Sequence, residues 1–194
     1  MPVPFSIVLA SASPRRKDLL KKAGYRFKVA PAGIDEFSFV SAGTAPAEYA
    51  EKLALAKAKK VAAMYPKRLV IGADTVVDFN GQIIGKPADA KDAEQITKKL
   101  FSAPHKVITA VAIVRLSDNT ELLEHDTTTV YPRKLNAEQL TMHIKSNRWQ
   151  DKAGAYAIKE SGDEFVERIE GSPTNVMGMP MELLQRMLER IAGG

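Results

Sequence analysis

The sequence predicts an α/β protein built on a mixed, twisted β-sheet with helices packed on its faces. Three observations carry this. Short apolar runs bounded by turn residues alternate with amphipathic stretches, the pattern of strands separated by helices. Two alternating segments meet at Asn80-Gly81 and two more at Ser117-Asp118-Asn119-Thr120, so antiparallel hairpins are mixed in. No repeat or long linker interrupts the 194 residues, which are 45% apolar and 26% charged, a globular balance able to bury a core. The chain reads as a single domain over residues 1–194, with the second hairpin marking where a second lobe would begin.

Residues 5–10 form a short apolar run that predicts a buried strand. Ser11-Ala12-Ser13-Pro14 then opens a helix, with Ser13 suited to cap it and Pro14 to its first turn. Leu19, Leu20 and Ala23 give that helix an apolar face, and Gly24 ends it. A strand follows over 27–30, then a loop rich in Pro, Gly and Ser to residue 45. A long amphipathic helix runs from Pro46 to about residue 64, Ala-rich within and with Lys57, Lys59 and Lys60 expected in solvent.

Residues 69–73 predict another buried strand, broken at Asp74-Thr75. Residues 76–79 and 82–84 flank the Asn80-Gly81 turn. A helix spans about 90–101, and 106–116 with 121–131 form the long hairpin. Asn136 and Gln139 resemble a capping box for a helix to about 146. Short strands at 155–158 and 165–169 lead to a last helix over 180–191.

Composition excludes several chemistries. Without cysteine there is no disulfide, thiolate zinc site, iron–sulfur cluster or cysteine nucleophile. The three histidines, His105, His125 and His143, lack metal-binding spacing. The longest apolar stretch, 107–114, falls short of the roughly 20 residues that span a bilayer. The N-terminal Met1-Pro2-Val3-Pro4-Phe5 lacks the basic start and apolar run of a signal peptide. A soluble, cytoplasmic protein with no membrane partner is expected. The net charge of +5 is concentrated: Arg15, Arg16, Lys17, Lys21, Lys22, Arg26 and Lys28 face only Asp18 in the first 30 residues. Such a patch suits nucleic acid, a phosphorylated small molecule, or solvent.

Five constellations could carry chemistry. Arg15 and Arg16 stand in the first turn of a helix, where positive charge opposes the macrodipole by about 0.3–1 kcal/mol each. With Ser11 and Ser13 beside them, they form either an anion site suited to phosphate or a solvated basic face. Asp74, directly after a buried apolar run, is either a metal ligand or general base at a strand end, or a turn-forming acid with Thr75. Asp35-Glu36 pairs two loop acids that could hold a hard divalent cation or only meet water. Gly85-Lys86-Pro87 is not a Walker loop, although Lys86 could reach a phosphate from the hairpin's end. Asp151-Lys152-Ala153-Gly154-Ala155-Tyr156 suits either a loop closely approached by a ligand or a salt-bridged turn. His105, Trp149 and the Met179, Met181 and Met187 series read as packing or surface residues.

Read together, Leu9-Ala10-Ser11-Ala12-Ser13-Pro14-Arg15-Arg16, Asp35-Glu36, Gly72-Ala73-Asp74-Thr75-Val76-Val77, Gly85-Lys86-Pro87, Asp151 to Tyr156 and Ile169-Glu170-Gly171-Ser172 closely resemble the Maf (septum formation inhibitor) family. The resemblance runs in order through nearly the whole chain. It implies an elongated, ITPase-like fold with a central cleft between two lobes. The implied activity is a metal-dependent nucleoside triphosphate pyrophosphatase, with a house-cleaning role in nucleotide metabolism and a link to cell division. By motif, Asp74 is the implied proton acceptor for water attacking the α-phosphorus, and Glu36 with Asp74 holds the divalent cation, Mg²⁺ or Mn²⁺. Ser11, Arg15, Arg16, Lys86 and Lys152 are the implied triphosphate ligands.

Arg15 after Pro14 and Thr75 after Asp74 resemble the branch acting on dTTP and UTP rather than the 7-methyl-GTP branch. At a third specificity position these branches carry Gln and Glu, and this chain has Lys159, which only donates hydrogen bonds. The family's Ser-Gly-Arg before its histidine is Ser102-Ala103-Pro104-His105 here. The expected substrate is therefore dTTP, UTP or a modified pyrimidine nucleotide, with 7-methyl-GTP or another modified nucleotide as the alternative. A non-catalytic nucleic-acid-binding or division-regulating protein is the alternative of another class, although no nucleic-acid motif appears and nucleic acid is not an expected partner. The resemblance leaves a homodimer open.

Overall fold

The computed structural model describes residues 6–39, 43–150, 152–156 and 165–193. Among these residues seven strands and six α-helices follow one another: β1 (Ile7–Leu9), α1 (Pro14–Lys22), β2 (Phe27–Val29), α2 (Pro46–Ala62), β3 (Leu69–Phe79), β4 (Gln82–Ile84), α3 (Ala90–Leu100), β5 (His105–Arg115), β6 (Thr120–Pro132), α4 (Ala137–Lys145), β7 (Val166–Glu170), α5 (Pro173–Val176) and α6 (Met181–Gly193). The strands form one sheet in the order β2-β1-β3-β5-β6-β7, with β4 paired to β3. The neighbours β2, β1 and β3 are parallel; β3, β5, β6 and β7 are antiparallel. This is the mixed α/β sheet that the sequence predicts. Among the described residues no helix is long and apolar enough to cross a membrane.

The strand expected to break at Asp74-Thr75 runs unbroken through both residues. The reason is pairing: β5 backs β3 from Val70 to Asp78 and keeps it extended. The interruption falls on the opposite edge of β3 instead. There β1 pairs only to Ile71, and β4 pairs only from Val77. Residues 72–76 of that edge have no strand neighbour among the described residues, so the sheet carries a notch, and Asp74 stands in the middle of it. Of the strand expected at 155–158, Ala155 lies in a turn instead and only Tyr156 is otherwise described. Residues Ala153–Ala155 form a 3₁₀ turn, and residues 157–158 lie outside the described ones.

Alternation along β3 divides the core. Leu69, Ile71 and Ala73 pack with Leu19 and Leu20 of α1 and Leu184 and Met187 of α6. Val70 and Val76 face α2, whose Ala50, Ala54 and Ala58 present a stripe of small side chains. That stripe lets α2 lie close against the sheet. A Cβ on Gly72 would fall 2.3 Å from the Ala54 carbonyl oxygen and 2.8 Å from the Ala58 nitrogen. A third cluster, around Val77, Leu100, Phe101 and Tyr156, closes the end of the sheet beyond the notch.

Candidate active site at the notch in the sheet

Two groups of polar side chains flank the notch, one on each face of β3. On the α2 face, the Lys57 ammonium donates to Asp74 Oδ1 at 2.6 Å and to Glu36 Oε1 at 2.7 Å. Lys57 is 9% exposed and Asp74 7%, so Lys57 belongs to the buried face of α2, not in solvent as expected. The physical reason is helical phase. Lys57 follows Leu53 by four residues and precedes Val61 by four, and both of these are buried. From that buried face its charge meets two carboxylates.

Glu36 begins a 3₁₀ turn, Glu36–Phe39, and its carbonyl accepts from the Tyr49 hydroxyl of α2 at 3.2 Å. Asp35 beside it is exposed. Lys86, in the loop after β4, lies 3.5 Å from Glu36 Oε2 with more than half of its side chain in solvent. The two carboxylates titrate in opposite directions. Burial pushes Asp74 above the ordinary carboxylate range, against the pull of Lys57 and Arg16. Burial acts on Glu36 too, but there the Lys57 hydrogen bond and the charges of Lys57 and Lys86 outweigh it and hold the group low.

On the other face, Arg16 fills the notch where a strand would have been. Its Nη1 donates to the Ala73 carbonyl at 2.8 Å and to Ser11 Oγ at 3.2 Å. Its Nε donates to the Gly178 carbonyl at 2.7 Å, and its Nη2 to Thr75 Oγ1 at 3.0 Å. Four of its five N–H groups are thus engaged. Carbonyls, hydroxyls and the nearby Asp74 charge supply the compensation that its first-turn position demands, so no external anion is needed to explain it. Burial lowers the basicity of Arg16, and Asp74 works against that.

The proton directions beyond Arg16 follow by elimination. Thr109 Oγ1 donates to the Asn175 carbonyl at 2.9 Å, which uses its one hydrogen. In the 2.9 Å contact between Thr75 and Thr109, Thr75 must then be the donor. The Thr75 hydroxyl therefore has no proton left to offer a ligand.

The structure brings Ser11, Arg16, Glu36, Asp74, Thr75 and Lys86 together around one opening. Ser11 also accepts from the Ser13 N–H at 3.2 Å, and the Ser13 side chain makes no cap bond to α1, contrary to expectation. Arg15 turns to the side, where it lines a cavity of about 290 Å³ with Asp18, Leu19, Lys21, Lys22 and Met177. The Lys152 ammonium donates to the carbonyls of Arg148 and Gln150. Asp151 and Lys159 lie outside the described residues. Sequence reasoning missed Lys57, Tyr49 and Thr109. Only Lys57 left a signal, a cation at a core-facing position of an otherwise apolar helical stripe.

The arrangement offers two carboxylates converging on one cation, with further positive charge on either side. Hard divalent ions such as Mg²⁺ take one or two carboxylates and complete their shell with water and phosphate oxygens. Glu36 and Asp74 fit that donor set, because both already direct oxygens at a single positive centre.

The chain is similar to known proteins over nearly its whole length. The family model described as Maf-like protein matches residues 6–191. The chain is 42% identical over 186 residues to a dTTP/UTP pyrophosphatase of Ruminiclostridium cellulolyticum, covering 96% of each chain. It is 44% identical over 176 residues to one of Citrifermentans bemidjiense, covering 91% of this chain and 90% of the other. A third, from Elusimicrobium minutum, is 44% identical over 183 residues, or 94% and 97% of the two chains. Among solved structures, the Ham1 protein of Staphylococcus aureus superposes with a TM-score of 0.54 at 18% identity, covering 95% of this chain and 98% of its own, a likeness of fold.

Proposed function

Because this chain belongs to the Maf-like protein family, we propose that it hydrolyses nucleoside triphosphates, dTTP and UTP foremost, to the monophosphate and pyrophosphate. The observation that carries the reading is the convergence of the Glu36 and Asp74 carboxylates on one positive centre at the open edge of β3. In the reaction a water oxygen bonds to the α-phosphorus, the bond to the bridging oxygen breaks, and pyrophosphate leaves with that electron pair.

In this reading Asp74 takes the water's proton. Burial raises its carboxyl above the ordinary value, which makes it a stronger base than an exposed carboxylate. Glu36, held ionised by Lys57 and Lys86, would share with Asp74 the binding of a divalent cation. When bound, that cation supplies charge neutralisation at the triphosphate oxygens. Lys57 and Lys86 add positive charge where negative charge develops, and Lys86, at the rim, is the more exposed of the two. Arg16 contributes mainly by holding the edge of β3 and the Ser11 hydroxyl in place.

The test is pyrophosphate release from dTTP, UTP, 7-methyl-GTP and the common nucleotides, with Mg²⁺, with Mn²⁺ and with chelator. Metal-dependent turnover of dTTP and UTP, abolished in a folded Asp74→Asn variant, is expected. Preference for 7-methyl-GTP would correct the substrate, and full activity of Asp74→Asn would overturn the assigned base. Absence of hydrolysis with either metal would overturn the proposal.

A further inference from the structure

The segment at 153–156 is held in a conformation that its residues do not favour by themselves. Gly154 has φ +75°, and Ala155, which is fully buried, has φ +61°. A left-handed alanine persists only where its surroundings impose it, and such positions gather at functional sites. A Cβ on Gly154 would meet Leu100 Cδ1 at 2.9 Å and Val77 Cγ2 at 3.0 Å, so the turn is pressed onto the end of the core.

Three polar contacts impose the conformation. The Gly154 N–H donates to the Gly85 carbonyl at 3.1 Å. His143 Nε2 donates to the Ala155 carbonyl at 2.8 Å. The Tyr156 hydroxyl lies 2.6 Å from His105 Nε2. The roles in the last pair are determined, because His105 Nδ1 faces the Leu100 carbonyl at 3.2 Å and must carry the ring hydrogen. Nε2 is then the acceptor and the tyrosine the donor. Burial lowers the basicity of His105 and so keeps Nε2 unprotonated. The two rings also meet edge to face, their centroids 5.4 Å apart, and both side chains are buried.

The contact with Gly85 gives this turn a reach into the active site. Residues 85–87 belong to no helix or strand, and the residue after Gly85 is Lys86, whose ammonium stands beside Glu36. We propose that His105, His143 and Tyr156 are positioning residues: they lock the 153–156 turn, the turn holds the Gly85 backbone, and Lys86 is thereby kept at Glu36. The catalytic consequence rests on the pyrophosphatase reading; the mechanical linkage does not.

A double-mutant cycle with Lys86 tests it. Tyr156→Phe removes only the donor and is expected to lower kcat/KM for dTTP about tenfold while the fold is kept. In a Lys86→Ala background the same change should cost less than about twofold, because the residue it acts through is gone. An equal loss in both backgrounds would overturn the proposal, since a merely structural role would produce it. His105→Gln, which can still present an acceptor to Tyr156, should retain several times the activity of His105→Leu, and equal activity of these two would also overturn it. Hydrogen exchange supplies a readout independent of turnover. Amides in peptides covering 83–88 and 152–156 should exchange faster in Tyr156→Phe than in the parent. Unchanged exchange would overturn the linkage even if the parent hydrolysed no nucleotide, a result that would separately remove the pyrophosphatase reading.

Discussion

Lys57 Nζ stands 2.6 Å from Asp74 Oδ1 and 2.7 Å from Glu36 Oε1, so one ammonium is shared by the two carboxylates of the site. Lys57 and Asp74 are buried and Glu36 is partly exposed, so the buried charges rely on one another for compensation. Removing the cation leaves two like charges facing each other with their burial cost uncompensated.

Lys57→Met is therefore expected to cost turnover at least about 100-fold, the scale of losing one preorganised charge contact. Lys57→Arg keeps the charge but brings a bulkier, planar group into a buried position, and should recover only part of the loss. Steady-state kinetics with dTTP, alongside circular dichroism to establish folding, checks both. Parent-like turnover of Lys57→Met would show that the shared ammonium is dispensable.

Gly72→Ala should destabilise the protein by about 1–3 kcal/mol, the usual cost of overpacking. The added methyl would strike backbone atoms of α2 at Ala54 and Ala58, which cannot rotate away as a side chain could. Since Lys57 precedes Ala58, a displaced α2 should also reduce turnover. Thermal melts and kinetics on one preparation test the pair of effects, and an unchanged melting temperature would refute the close packing of α2 on β3.

Thr75→Val and Thr109→Val should each cost about 1–2 kcal/mol through broken buried hydrogen bonds. The double variant should cost clearly less than the sum, because both hydroxyls belong to one chain from Arg16 to the Asn175 carbonyl. Urea unfolding of the four proteins measures this, and strict additivity would contradict the chain.

Stability should decline as pH falls below about 6.5, the ordinary histidine value. Burial depresses His105 in the folded protein, so the unfolded chain takes up a proton first on acidification. Its contribution is complete above the unfolded value and is lost as pH falls through it, at up to about 1.4 kcal/mol per pH unit. Melting temperatures between pH 7.5 and 5, compared with His105→Gln, should give a shallower slope for the variant. Parallel slopes would assign the decline to other groups.

Much of this was readable along the chain. The order of strands and helices, the Asn80-Gly81 hairpin and the Asn136–Gln139 capping box follow from local pattern, because turns, caps and amphipathic periods are decided within a few residues. The acids and bases around the opening, Glu36, Asp74, Arg16 and Lys86, are also legible one by one from their motifs. Their partners are not. Lys57 hid among Lys59 and Lys60 as one more surface cation, although its helical phase put it on the buried face.

Local periodicity and composition are enough to set the fold class and the residue types available for chemistry. Tertiary structure alone decided where β3 loses its neighbour. Local sequence suggested a break at Asp74, but pairing with β5 kept the strand whole and moved the interruption to its other edge. That long-range choice opened the notch, turned Arg16 into the group that fills it, and set Lys57 between two carboxylates from separate parts of the chain. No pattern along the sequence encodes such meetings, because they depend on how α2 and α1 dock on opposite faces of one strand.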